Sequence, residues 1–243
     1  MPAIADSGVV LQRVEYSETS QVLVFFTRQH GKVRAIAKGI KRGTKTRFAV
    51  GLDLLDVGEL VVSARADRSE KLAILTEWKQ TRCPTGLRQS LARLYAAQYA
   101  AEITGQLTHD WDPHPGLFDV LVLFLEQACH ADRPLAFLVD YQRRLLEAVG
   151  LWPRLDGCTL CGRSEDLTHF SSFEGGMVCR HCEPAQVEKR SLSRRALERL
   201  RNADNATDHE GAFELLNYHL AQLIGRQPLL ASKVLSPLKR SRP

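Results

Sequence analysis

Four cysteines stand in two pairs, Cys158-Thr-Leu-Cys161 and Cys179-Arg-His-Cys182. Thiolates are soft metal ligands, and two intervening residues let one tight turn aim both sulfurs at a single ion. The interval between the pairs falls within the roughly 15–20 residues expected of a tetrathiolate zinc site. Glu174-Gly175-Gly176 offers the hairpin turn that returns the second pair to the first. Gly162 frees the first knuckle, whereas Glu183 holds the equivalent place in the second. Four thiolates leave no open coordination position, so the expected cofactor is one structural Zn2+ rather than a catalytic one. The alternatives are a pair of disulfides or redox C-x2-C motifs, the latter expected near a βαβ pattern that this sequence lacks. His169 and His181 are substitute ligands to consider. Cys83 and Cys129 are isolated and read as buried small hydrophobes or inert thiols.

A second chemistry lies in residues 19–52, which contain no Asp or Glu but carry Arg28, Lys32, Arg34, Lys38, Lys41, Arg42, Lys45 and Arg47. In a strand, Arg34, Ile36 and Lys38 share one face. The run Lys38 to Arg47 intersperses cations with glycines and hydroxyls, a track suited to a phosphate backbone. Few aromatics accompany it beyond Phe25, Phe26 and Phe48, and two or three of those are expected in the core. Backbone contact with little base readout is therefore the expectation. The bland alternative is a solvated charged face. A further cluster comprises Lys189, Arg190, Arg194, Arg195, Arg199 and Arg201, diluted by Glu188 and Glu198. Of these, Arg194 and Arg195 are candidate nucleic-acid contacts.

These residues need elements to hold them. Val9–Val14, Gln21–Thr27, Lys32–Lys38, Glu59–Ala64 and Lys71–Glu77 are short runs rich in β-branched and aromatic residues, bounded by turn formers. Five strands in residues 1–80 suit a small antiparallel barrel of the OB-fold kind, or an SH3-like barrel. Helical spacing then runs through Leu87–Ile103, residues 116–130 (apolar enough along Val120–Leu125 to be central) and Leu135–Val149, with Gly150 as the stop. Residues 151–185 form the four-cysteine module. Helix returns from Ser193 through Leu200 and again over Phe213–Leu223, with a polar loop at Asn202–Gly211 and a mobile basic tail from Ser236. The expected architecture is α+β multidomain: an N-terminal five-stranded barrel (1–80), an α-helical bundle (81–150 and 186–243) and an inserted four-cysteine zinc-finger module (151–185).

The chain has 243 residues, net charge +5 and a sequence pI near 9.0, a balance that favours a polyanionic partner. Neither a leader nor a stretch long enough to span a bilayer is visible, so a cytoplasmic protein without membrane contact is expected. There is no H-E-x-x-H, G-x-S-x-G, dinucleotide fingerprint or P-loop, and no enzymatic activity is expected.

Taken in order, several short motifs resemble the bacterial recombination mediator family RecO over essentially the whole chain. They are Val14-Glu-Tyr-Ser-Glu-Thr-Ser20, Val24-Phe-Phe-Thr27, His30-Gly31, Ala37-Lys-Gly-Ile-Lys-Arg42, the Leu52–Leu60 region, and the cysteine pairs with Gly175-Gly176 before the second. The resemblance implies an OB-fold, a helical bundle and a zinc finger, with Arg34, Lys38, Lys41 and Arg42 as DNA contacts. It implies a nucleoid-associated, non-enzymatic role in recombinational repair. Such proteins bind single- and double-stranded DNA, anneal complementary strands and help load recombinase with RecR, RecF and single-strand-binding protein. Some family members lack the zinc ligands. The rival reading is a zinc-stabilised protein-interaction adapter without direct DNA activity.

Overall fold

The computed structural model describes residues 2–38, 52–64, 72–202 and 208–240. Its contacts divide the chain into two compact units, Met1–Asp132 and Arg133–Pro243. The boundary falls inside the helical segment 81–150.

The first unit is built on strands β1 (Ala3–Glu15), β2 (Gln21–Thr27), β3 (Gly31–Ala37), β4 (Val57–Ser63) and β5 (Ala73–Arg82). They close into a barrel in the order β1-β2-β3-β5-β4. Four of the pairings are antiparallel and one, β3 with β5, is parallel. The purely antiparallel barrel expected from the sequence is corrected on this point. Directions cannot alternate all the way round a closed ring with an odd number of strands. Alternation along β3 is as expected: Val33, Ala35 and Ala37 are buried, while Arg34 and Lys38 are exposed and Ile36 is intermediate. The interior holds Val10, Leu23, Phe25, Val33, Leu60, Val62, Leu75 and Trp78, with the Phe25 and Trp78 rings 5.4 Å apart.

Two helices complete this unit, α1 (Leu91–Leu107) and α2 (Pro115–His130), after a 3-10 turn at Thr85–Gln89. Phe26 does not fill the barrel. It faces outward and is buried against Phe118 of α2, at 6.4 Å between ring centroids. Nor is α2 buried all round, because Leu123 is 52% exposed and the outer face carries Asp119 and Glu126. The short apolar run hides an amphipathic helix whose polar residues flank it. Gly105 lies within α1 and does not interrupt it.

Lys32 is buried, and its Nζ donates to the carbonyl oxygens of Gly105 (2.7 Å) and Thr108 (2.5 Å) at the end of α1. A helix C-terminus offers unpaired carbonyls and partial negative charge, so a cation there is well placed. Burial lowers the Lys32 pKa, and Asp110 opposes that shift. Beyond α1 the chain passes tightly over the β2–β3 turn. Gly31 sits at φ +68°, and a Cβ there would lie 1.9 Å from the Asp112 carbonyl oxygen. Gly31→Ala is therefore expected to destabilise this unit by roughly 2–5 kcal/mol, combining left-handed strain with backbone overlap. Gly116→Ala, in α2 with nothing within 4 Å, should cost nothing. Urea unfolding of the two variants checks the contrast, and equal midpoints would refute the close approach.

The second unit contains α3 (Leu135–Ala148), β6 (Leu167–Ser171), β7 (Gly176–Cys179), β8 (Arg190–Ser191), α4 (Arg194–Arg201), α5 (His209–Ile224) and α6 (Ala231–Arg240). Strands pair in the order β7-β6-β8. Gly150, at φ +73°, follows α3 as expected. Ser193 caps α4 by accepting from the Ala196 N–H, and Asp208 caps α5 by accepting from the Gly211 N–H. The Ser193 hydroxyl also donates to Asp208, tying the two helix starts together. Helix α6 covers part of the tail that the sequence reading leaves unstructured. Helix α5 likewise begins inside the stretch read as a polar loop.

Candidate metal centre and nucleic-acid face

Each cysteine pair is aimed by its own turn. In the first knuckle the Cys158 N–H donates to the Arg163 carbonyl (2.7 Å), and the Gly162 N–H donates to the Cys158 carbonyl (2.9 Å). Gly162 takes φ +78°, the left-handed conformation the sequence reserves for it. The second knuckle closes through Cys182 N–H to Cys179 C=O (3.0 Å) and runs directly into a 3-10 turn at Glu183–Ala185, so no glycine is needed there. The turn at Ser172–Gly175, with Gly175 at φ +70°, brings the pairs together.

All four Sγ atoms lie within 4.8 Å of one another, and Cys161 and Cys179 are 3.6 Å apart. Sulfurs at the corners of a tetrahedron of about 2.3 Å metal–sulfur bonds are roughly 3.8 Å apart, so the cluster fits one ion. Burial raises the Cys158 thiol. The N–H groups of Cys179, Cys161 and Leu160 outweigh it and hold the pKa at about 6. Cys182 moves the other way: hydrogen bonding with Cys161, then burial, then Cys179 and Cys158 push it up to about 12. Four sulfurs this close can all be thiolates only with a cation among them. Neither His169 nor His181 belongs to the cluster, and His169 Nδ1 instead meets the Thr168 hydroxyl at 3.0 Å.

A second anchor of this module is not visible in the sequence. Glu188 accepts from the Ser171 hydroxyl (2.7 Å), the Phe173 N–H (3.0 Å) and the Tyr218 hydroxyl. Next to it, Ser172 Oγ and His219 Nδ1 are 2.7 Å apart. The residue read as diluting a basic cluster therefore pins the hairpin turn to α5. The two isolated cysteines have thiols pushed upward, chiefly by burial, which disfavours the reactive thiolate. Cys129 is buried as expected, but Cys83 is exposed.

Of the acid-free N-terminal stretch, Lys41, Arg42, Lys45 and Arg47 lie outside the described residues, as does Phe48. Arg34 on β3 and Lys38, just past its end, are both exposed. Three of the cations, Arg34 among them, have partners from distant sequence. Arg28 meets Asp119 through two hydrogen bonds of 3.0 and 2.9 Å. Lys32 is the buried partner of α1. Arg34 Nε lies 3.2 Å from Asp110 Oδ2.

The second basic cluster is largely spent on structure. Arg199 is buried and donates to Asp140 (2.7 Å), His209 (2.9 Å) and the Ala136 carbonyl (3.3 Å). Arg201 donates to the Leu155 carbonyl, Lys189 meets Glu183, and Arg190 meets Glu214 and the Tyr218 ring. Arg194 pairs with Glu198 at 3.1 Å. Arg195 is exposed with no ion-pair partner among the described residues. No helix among those residues is long and apolar enough to cross a membrane.

Comparison with known proteins covers most of the chain. Residues 1–83 match the family model described as recombination protein O N terminal, and residues 88–231 match recombination protein O C terminal. The chain is similar to the DNA repair protein RecO of Rhodopirellula baltica, 34% identical over 80% of this chain and 72% of that protein. It is 36% identical to the RecO of Anaeromyxobacter dehalogenans over 76% of this chain and 72% of its relative. For a Bacillus cereus RecO the identity is 29%, over 74% and 71% of the two chains.

Proposed function

The chain belongs to the recombination protein O family, and on that premise we propose that it is a DNA-binding recombination mediator whose work is positioning rather than catalysis. The observation that carries this reading is the exposure of Arg34 on the outward face of β3 and of Lys38 just past its end, on an OB-like barrel. Lys41, Arg42, Lys45 and Arg47 follow in the sequence as further contacts, and Arg194 and Arg195 on α4 form a lesser second one.

The mechanism is charge screening. Two complementary strands repel through their phosphates. A cationic surface that binds backbones and leaves base edges free lowers that repulsion and lets pairing proceed. Both single- and double-stranded DNA are expected ligands, because both present phosphates. The four-cysteine cluster holds one Zn2+ in this reading. The ion neutralises crowded thiolates and fixes the fold of residues 151–185, leaving no position open for substrate. RecR, RecF and single-strand-binding protein are the expected partners in loading recombinase, at the nucleoid in the cytoplasm.

DNA binding and strand annealing across a salt series test this reading. The logarithm of affinity should fall linearly with the logarithm of salt, with a slope near −0.9 per neutralised phosphate on duplex DNA. Affinity unchanged between about 50 and 200 mM salt would exclude a phosphate-backbone mechanism and favour the adapter.

A further inference from the structure

Asp110 reaches the basic face from residues that no local reading of the β-strands includes. Its placement is fixed by main chain. Strand β5 pairs with β3 only at Ala35 and Ile36. At Lys32 the segment after α1 makes a parallel bridge through Asp110, and the Trp111 N–H donates to the Lys32 carbonyl at 2.9 Å. Gly31 leaves room for the Asp112 carbonyl alongside. The Asp110 carboxylate is thereby delivered to the edge of the strand that displays Arg34.

Its two oxygens divide between two cations. Oδ2 lies 3.2 Å from Arg34 Nε, and Oδ1 lies 3.5 Å from Lys32 Nζ. A phosphate docking at this edge would find the same two cations. Lys32 has closer partners besides Asp110, the Gly105 and Thr108 carbonyls. For Arg34, Asp110 is the one ion-pair partner among the described residues. The contact is a single point at Nε, unlike the two-point grip of Asp119 on Arg28. Both side chains remain open to water, with Arg34 49% and Asp110 39% exposed. Such a pair is weak enough to be exchanged and close enough to matter.

We infer that the Asp110 carboxylate is a resident anion on the DNA face, which a backbone phosphate must displace from Arg34, so that Asp110 sets the DNA affinity of this surface. The inference rests on the proposed role of the β3 face in binding phosphate. Its consequence is a built-in brake. Arg34 is held in place between encounters, and strands are bound less tightly than an unopposed arginine would bind them. A surface that must release annealed DNA gains from that.

A double-mutant cycle on the full-length chain tests it, with a fluorescent single-stranded oligonucleotide at low salt. Asp110→Asn is expected to tighten binding about two- to fivefold, the range that loss of one exposed ion pair allows. In an Arg34→Ala background the same change should do nothing. Asp110→Glu, which keeps the carboxylate, should bind like the unmodified chain, and all variants should keep its melting temperature because the Trp111–Lys32 bond is main chain. Glu59→Gln removes the same charge from β4 and should not tighten binding. If Arg34→Ala leaves affinity unchanged, the reading of the β3 face itself fails. If Arg34→Ala weakens binding but Asp110→Asn does not tighten it, or tightens it equally without Arg34, the competition is refuted.

Discussion

Removing the metal, by chelator or by replacing Cys158 and Cys179 together with Ser, is expected to unfold residues 151–191 as a unit. The buried cluster around the sulfurs consists of Cys158, Val178 and Cys179, with Leu167 and Cys182 partly buried against it. Most of that cluster is the ligand set, and Leu155, Phe170 and Met177 are the other buried apolar residues of the module. Apparent zinc binding energies in finger-sized folds are about 10–16 kcal/mol, against about 1.5–3 kcal/mol for each buried apolar side chain, so the ion is the largest single contribution. Elemental analysis should find one zinc per chain before treatment and none after. Hydrogen exchange should then lose protection at the Thr159 and Arg180 amides, which bond Met177 and Asp166 across the knuckles. The barrel of the first unit contributes no ligand and should keep its protection. A metal-free chain that still protects those two amides would sink the assignment.

Reversing charge on β3 is the second large effect. Arg34→Glu combined with Lys38→Glu should weaken DNA binding roughly a hundredfold at low salt, since each lost charge-assisted contact is worth about 1.5 kcal/mol or more. The salt slope should flatten by about two, one for each phosphate no longer neutralised. Strand annealing should fall with it, while metal content stays at one per chain. Both side chains point outward and neither is part of the barrel interior, so the fold should survive. Unchanged affinity in this variant would move the DNA site off the barrel altogether.

Local chemistry was legible and distant pairing was not. Strand β2 and the cysteine knuckles were readable because alternation, turn residues and ligand spacing are all local signals. The first strand begins at Ala3, earlier than apolar alternation suggests, because Asp6, Ser7 and Gly8 interrupt the pattern. Asp6 braces the β2–β3 turn instead, accepting from the Gln29 N–H (2.9 Å) and meeting His30 Nδ1 (2.8 Å). Counting charges along residues 19–52 gave an acid-free stretch in sequence but not in space, since Asp110 and Asp119 arrive from beyond α1. The α4 arginines mislead for the same reason. A helical wheel places Arg195 and Arg199 near each other, yet one faces water and the other lies buried against Asp140.

The seating of Lys32 and Gly31 also bears on synthesis. The β2–β3 hairpin can pair as soon as it leaves the ribosome, but its buried ammonium finds its carbonyl partners only at Gly105 and Thr108. Until residue 112 has emerged, a charged side chain destined for burial has nothing to receive it, and it must stay in water. The barrel therefore matures late, waiting on a helix made after its last strand. Until then the edge of β3 at Lys32 lacks its bridge to Asp110, and an uncovered strand edge is the kind of feature on which chaperones act.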